Sequence, residues 1–433
     1  MRRSAALLIV LILLSASCLT VSISVKAGPK TVTVPDDYPT IQAAIGNATA
    51  GDTVFVKEGT YNYSIFGYDG IYIDKPISLI GQDSKKTVIY RPYYKYSDNA
   101  IRIASDDVTI SGFTIISNYL IGIRIESSSG SNIQPSGIKI TGNNIQGQNA
   151  GIITYGGENY VISQNNITAN DQGLSFSSSD SVISDNNIIK NGMYGLSIGS
   201  CQNVIIKGND FTSNGFYSNP GMQSSSSVPD QGGLSLGGSN IYVYGNNITG
   251  NVIGIQVGLS NNTAIYGNNI LSNQVGVNLE NVMLFAPNHN LGSGNRVYNN
   301  NLIDNDKNAF VWHSNRYWNV TAYNETYGEG RITGNGTTAV SWDNGYVGNY
   351  WSDYDASGNY IIDDGNVDRY PLMQPVDIST LTPPPSLEPE PFSTALVIAI
   401  VVLVAIGTIA LIVVICAGLL VYVKKRRRKP SAS

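Results

Sequence analysis

The sequence predicts an all-β solenoid in which one coil of about 22 residues is wound again and again into a parallel β-helix. Three observations predict it. Gly-apolar-x-apolar units begin at Gly122, Gly151, Gly173, Gly195, Gly233, Gly254 and Gly276. A second unit, built around an Asn-containing turn, ends at Ile145, Ile167, Ile188, Phe211, Ile248, Ile270 and Leu302, and Asn170, Asn191, Asn214, Asn251, Asn273 and Asn305 follow three residues later. The composition agrees: 45 Gly and only 13% charged residues describe many short strands with frequent corners. Most spacings are 21 to 23 residues, a regularity that a β-sandwich of hairpins would not keep.

The elements follow in order. Met1-Arg2-Arg3 and the apolar run after them read as a signal peptide over residues 1–27. Ile41, Ala44, Ile45 and Ala48 have helical spacing and predict a short amphipathic helix that covers the first coil, where an open strand edge would otherwise aggregate. In a unit such as Gly173-Leu174-Ser175-Phe176, Leu174 and Phe176 point inward and Ser175 outward. Three strands of this kind per coil enclose an apolar interior, with parallel pairing from coil to coil. Asn at the corners tolerates left-handed backbone, and stacked Asn side chains hydrogen-bond along the stack. Insertions at about 126–137, 216–231 and 280–294 interrupt the period and offer binding loops, His289 among their residues. The extracellular domain spans 28–376, and its pattern decays into a C-terminal cap at about 313–376.

A Pro-rich stalk at 377–392 leads to a transmembrane helix at 393–423, uncharged from Ala395 to Val423 and long enough to cross a bilayer. The basic tail 424–433 sets the orientation, because Lys424 to Lys429 stay on the cytoplasmic side and place the N-terminal body outside the cell. That basic run is accounted for by topology, and no nucleic-acid partner is expected. Cys18, Cys201 and Cys416 fall in leader, body and membrane segment, so no disulfide joins them within the ectodomain.

The stretch TVPDDYPTIQAAIGNATAGDTVFVKEGTY resembles the opening of the archaeal cell-surface β-helix proteins grouped with the NosD family and the wider pectin-lyase-like fold. VSWDNGYVGNYWSDY and DRYPLM resemble their closing segment, so the likeness spans roughly 31–375. The resemblance implies a right-handed coil and an extracellular, carbohydrate-related setting. It implies no single activity, since the fold hosts lyases, hydrolases, adhesins and spacers alike. Copper handling needs grouped Cys, Met or His. With His289 and His313 far apart and five scattered Met, no copper is expected.

Four groups of residues are candidates for function. Glu158 and Asp180 both stand seven residues after a repeat Gly, which would set two carboxylates on one corner of adjacent coils at roughly the 5 Å of a retaining glycosidase pair. Solvated turn carboxylates are the plainer account. Tyr244, Tyr266 and Tyr298 share one outward position in successive coils, with Tyr242 beside them, as a platform for sugar rings or a purely structural stack. Asp353, Asp355, Ser357 and Asp364 hold positions 1, 3, 5 and 12 of a calcium-loop spacing with Gly358 at position 6; the alternative is a set of Asx turns. Sequons at Asn47, Asn62, Asn166, Asn247, Asn261, Asn319, Asn324 and Asn335 are glycosylation candidates. Together these describe a membrane-anchored extracellular module, non-catalytic and binding glycans or envelope components. The alternatives are an anchored polysaccharide lyase or glycoside hydrolase and a purely structural envelope protein.

Overall fold

The computed structural model describes residues 28–62, 69–92, 99–117, 120–127, 133–147, 149–216, 231–281, 293–313, 340–363 and 365–380. The leader, residues 381–433 with the 393–423 span, Asp364, His289 and the sequons at Asn319, Asn324 and Asn335 lie outside them. So do the central parts of the three insertions. Among the described residues no helix is long and apolar enough to cross a membrane.

The body is a parallel β-helix with three faces. Strands such as Asp69–Ile73, Asn99–Ile103, Ile121–Ile125 and Ala150–Thr154 make the first face. Strands from Thr31–Val34 through Lys139–Thr141 and Ala264–Tyr266 to Val340–Ser341 make the second. The third is an 11-stranded sheet running from Gly59–Asn62 to Tyr350–Trp351. The first two faces are hydrogen-bonded into one sheet because the strand Gly232–Tyr244 passes through the corner between them without a break. Every coil-to-coil pairing is parallel, and the sole antiparallel pair among the described strands is the cap hairpin Tyr360–Asp363 with Asn366–Asp368.

Strand alternation fills the interior. On the third face Ile115, Ile145, Ile167, Ile188, Phe211, Ile248, Ile270, Leu302 and Trp351 lie directly over one another, all buried. Each such side chain contributes about 1.5–3 kcal/mol by leaving water. The helix Ile41–Asn47 closes the N-terminal end as expected, burying Ile41, Ala44 and Ile45, with Thr40 Oγ1 accepting from Ala43 N–H at 3.1 Å as the N-cap.

Two buried asparagine ladders run along the interior corners. The first links Asn143, Asn165, Asn186, Asn209, Asn246, Asn268, Asn300 and Asn349. Asn186 shows the pattern. Its Oδ1 accepts from the backbone N–H and Nδ2 of Asn165, both at 3.0 Å, while its Nδ2 donates to Ile162 O at 2.8 Å and Asn209 Oδ1 at 2.9 Å. All the amide's hydrogen-bonding capacity at that corner is used inside the protein. The second ladder runs Asn170, Asn191, Asn214, Asn251, Asn273 and Asn305. It explains the repeat glycines: a Cβ on Gly173 would lie 2.4 Å from Gly195 O and 3.0 Å from Asn191 Nδ2. The left-handed backbone belongs to the residue before the ladder Asn at every position but Asn349, as at Gln164, Asp185 and Gly208, rather than to the Asn itself. That separates two jobs the sequence pattern had merged.

Both ladders end on carboxylates of the C-terminal cap. Asn349 N–H donates to Asp368 Oδ2 at 2.6 Å, and Trp351 Nε1 donates to the same oxygen at 2.8 Å. The second ladder continues from Asn305 to Asn308 and then to Asp353 Oδ1 at 2.7 Å. The amide-to-amide bonds of each ladder run toward the C-terminus, while the second N–H of each amide holds a carbonyl of the preceding coil, so Asp368 and Asp353 accept the last bonds of the two series.

Candidate functional site

The outward side of the first face carries a constellation that the sequence reading passed over. Tyr72, Arg102 and Arg124 occupy one outward position in three successive coils. Like-charged guanidinium groups one coil rise apart repel, and Glu126 offsets this by pairing with both: Arg102 Nε lies 3.0 Å from Glu126 Oε1 and Arg124 Nη2 lies 2.6 Å from Oε2. The three side chains are about one-fifth exposed, so the pairs are less screened than ordinary surface ion pairs. Aromatic faces bracket them. The Arg102 guanidinium carbon lies 5.5 Å from the centre of the Tyr72 ring, and that of Arg124 lies 5.0 Å from Tyr155. Tyr72 is pinned by its backbone, which exchanges two hydrogen bonds with the Gln42 side chain of the capping helix. Tyr155, by contrast, is 48% exposed and offers its ring to solvent.

Tyr155 opens the corner that holds Glu158. Gly157 there has φ +91°, and a Cβ on it would meet Pro135 O at 2.1 Å, because the Tyr160 hydroxyl reaches beneath it to donate to that carbonyl at 2.8 Å. This corner is one residue longer than the next one. Ile152 pairs with Leu174, 22 residues on, but Val161 pairs with Val182, only 21 on. Glu158 therefore stacks on Ser179, while Asp180 takes the left-handed position, as Asn159 does in its own coil. The two carboxylates do not occupy equivalent places, which corrects the spacing argument that paired them. Asp180 Oδ1 accepts from Asn203 Nδ2 at 2.8 Å, and Asn203 Oδ1 from Asn240 at 3.0 Å, so Asp180 ends a third, exposed ladder.

The tyrosine column is present as expected on the second face. Tyr244 and Tyr266 stack at 5.2 Å and 16°, Tyr266 and Tyr298 at 5.4 Å and 10°. The rings face one another along the column rather than outward, and Tyr266 is only 5% exposed. Its flat faces are occupied by its neighbours, so a sugar cannot stack on them. Tyr242 lies beside the column, half-buried. Burial pushes the Tyr266 phenol well above its ordinary range, with Tyr244, Tyr298 and Tyr242 adding to it. Its hydroxyl is buried without a hydrogen-bond partner.

Of the calcium spacing, Asp353, Asp355 and Ser357 are described, and Asp364, its twelfth position, is not. Asp353 terminates the second asparagine ladder and also accepts from the Tyr360 hydroxyl at 3.0 Å, while Asp355 accepts from Ser357 N–H in an Asx turn. Among the described residues no three His, Cys, Asp or Glu side chains gather as a metal set. Of the described sequons, Asn47, Asn62 and Asn247 are exposed, whereas Asn166 and Asn261 are half-buried.

The family described as "Right handed beta helix region" matches residues 79–228, which fixes the hand of the coil. No curated protein matches the chain. Among solved structures it is similar to the A-module of the mannuronan C-5 epimerase AlgE6 of Azotobacter vinelandii, at 16% identity over 70% of this chain and 79% of that one, with a TM-score of 0.48. It is also similar to ORF18 of Geobacillus virus E2 (14%, 66% and 62%, 0.45) and to an alginate lyase from a Paenibacillus species (14%, 65% and 94%, 0.32). None of the residues above is carried over from these proteins.

Proposed function

We propose that the chain is an extracellular surface module, held to the membrane by one helix at 393–423, which binds polysaccharide along its first face. The observation that carries this reading is the Tyr72–Arg102–Arg124 column, with Glu126 paired to both cations and the Tyr155 ring against Arg124. Sugars are held by planar polar groups that take hydroxyls or a carboxylate in pairs and by an aromatic face against the ring's C–H side. The column supplies both on a rigid sheet. A guanidinium fork matches a carboxylate in geometry, which favours an acidic glycan. The pairing by Glu126 holds the cations in fixed geometry at no cost in mobility when ligand arrives.

The test uses the body, residues 28–380, against neutral and acidic polysaccharides, scored for polymer retention and for new reducing ends, with calcium and with chelator. Retention of an acidic polymer that falls about 10-fold in Arg124→Ala, in line with the loss of a charge-assisted hydrogen bond, supports the reading. Retention unchanged by Arg124→Ala and Tyr155→Ala together overturns it. Product release abolished by Glu158→Gln or Asp180→Asn would make the chain a lyase or hydrolase instead. A chelator effect would bring calcium at Asp353, Asp355, Ser357 and Asp364 into the account. Absence of both retention and product across the panel would favour the structural reading. Carbonate extraction of the full chain from membranes tests the anchor separately.

A further inference from the structure

The exposed apolar side chains of the body are not evenly spread. Of the seven large ones exposed among the described residues, Tyr346, Ile361, Tyr370 and Met373 belong to the C-terminal cap. The chain path puts all four at one end. Val340–Ser341 and Tyr350–Trp351 are the last strands stacked on the second and third faces. Beyond them Leu372 bridges to Tyr350, and Tyr370 O accepts from Gly348 N–H at 2.9 Å. The hairpin Tyr360–Asp363 with Asn366–Asp368 sits against the strands Lys307–His313 and Val340–Ser341 and closes the coil, pairing Ile361 with Val367. No further coil among the described residues stacks on these side chains, and the Arg369 guanidinium carbon lies 5.9 Å from the centre of the Tyr370 ring. The opposite end, covered by the helix Ile41–Asn47, shows no such side chain among the described residues.

We infer that this end of the cap docks on the lipid–water interface of the membrane to which the chain is anchored. The inference rests on the anchoring part of the proposed function. Only residues 381–394 separate Thr380 from the uncharged run that begins at Ala395, a reach of at most about 50 Å when fully extended. The cap end is therefore confined near the bilayer, at an effective concentration high enough for a weak contact to be occupied. The residue types fit that partner: tyrosine rings favour the headgroup layer, where the ring is half-dehydrated and the hydroxyl stays wet, while Ile and Met enter the acyl boundary. Charge does not drive the contact. Arg369 is bound to Asp343, with Nη2 2.6 Å from Oδ1, and Asp355, Asp363 and Asp377 lie in the same region, so the docking is by insertion and insensitive to salt.

Two measurements test it. The full chain is placed in phosphatidylcholine nanodiscs and labelled with hydroxyl radicals, with detergent-solubilised chain as the reference. Tyr346, Tyr370 and Met373 are expected to be protected several-fold while Tyr155 is labelled equally in both. Equal labelling of all four overturns the inference. The body 28–380, which holds both end closures and the described core, is then floated with phosphatidylcholine vesicles at millimolar lipid and compared with the triple variant Tyr346→Ser/Ile361→Ser/Met373→Ser. Recovery that falls at least 5-fold in the variant and does not change between 50 and 500 mM salt supports docking. Recovery that is absent, or equal in the variant, overturns it. So does self-association of the body that the variant abolishes, which would assign the surface to a second copy. Because the vesicle assay contains no anchor, a failed anchor and a failed docking surface give different results.

Discussion

Two columns of aromatic side chains run along this solenoid, and the same backbone gives them opposite characters. On the first face Tyr72 is followed by two arginines, and the Tyr155 ring that lies against the second of them is half in solvent. On the second face Tyr244, Tyr266 and Tyr298 follow one another without a break and close up ring on ring. Parallel coils repeat at about 4.8 Å, close to the separation at which flat rings stack. Identical neighbours in an outward position therefore satisfy one another. Mixed neighbours leave ring surface and polar groups at the solvent boundary. A homogeneous column stabilises the sheet, and a heterogeneous one is where a ligand finds something to bind.

The largest expected effect lies beneath the second column. Asn268 Nδ2 donates to Tyr266 O at 3.1 Å and to Val243 O at 2.9 Å, and its Oδ1 receives two donors from Asn246. Asn246 and Asn300 hold the carbonyls of Tyr244 and Tyr298 in the same way. Asn268→Ala leaves several buried polar groups unpaired at once, and a loss of about 4 kcal/mol is expected. Urea unfolding of the body checks it; a loss below about 1 kcal/mol would show that water replaces the amide and that the ladder is not what stiffens the column.

Next comes a pair of variants that separates the two columns. Tyr266→Ala removes a buried ring with neighbours on both faces and is expected to cost about 3 kcal/mol while leaving polymer retention intact. Tyr155→Ala removes an exposed ring with one cation–π contact, at about 0.5–1 kcal/mol, and is expected to weaken retention severalfold. The comparison fails if the two variants exchange outcomes, that is, if Tyr266→Ala abolishes binding with its melting point unchanged.

The regular elements were legible because the repeat reports them many times. Leu174, Ser175 and Phe176 state the strand alternation, and Asn191 recurs at the period of the second ladder. The first-face site was less legible for a definite reason. Arg124 sits in the x position of a Gly-Ile-x-Ile unit, but its partners Tyr72 and Arg102 lie in coils that enter the series before Gly122. One of those coils carries Ala100 where the repeat has Gly. Extending the alignment backward through Ala100 would have found the column. The corner at Glu158 was misread because one extra residue beside Gly157 moves Asp180 out of register, and counting from the repeat Gly cannot detect a slip that occurs within a corner. Asp353 carried the right chemistry for a cation loop, yet its partner Asn308 lies 45 residues away in sequence. Only the folded coil brings them together.

The second column also makes an alkaline signature. Burial raises the phenols of Tyr266 and Tyr298 above their ordinary value near 10, and raises Tyr160 and Tyr360 as well. When the folded-state value is the higher one, the unfolded chain loses its protons first as pH rises. The stability tied to these groups is thus fully present below about pH 10 and is lost as pH climbs through the folded-state values. Unfolding midpoints should hold steady from pH 8 to 9.5 and fall above pH 10, in step with the phenolate absorbance. A midpoint that rises across this range would contradict the burial of the column.

The smallest effect is the sharpest test of what the homogeneous column is for. Tyr266 has a buried hydroxyl with no hydrogen-bond partner, while its ring is held on both sides. If stacking is the whole of its contribution, Tyr266→Phe keeps every favourable contact and removes a desolvated polar group. The variant should match or exceed the parent by up to about 1 kcal/mol. It should also lose part of the fall in stability above pH 10, because one raised phenol has been removed. A destabilisation of more than about 1 kcal/mol would mean that the hydroxyl is engaged, and the column would then have to be treated, like the first-face one, as a surface with chemistry of its own.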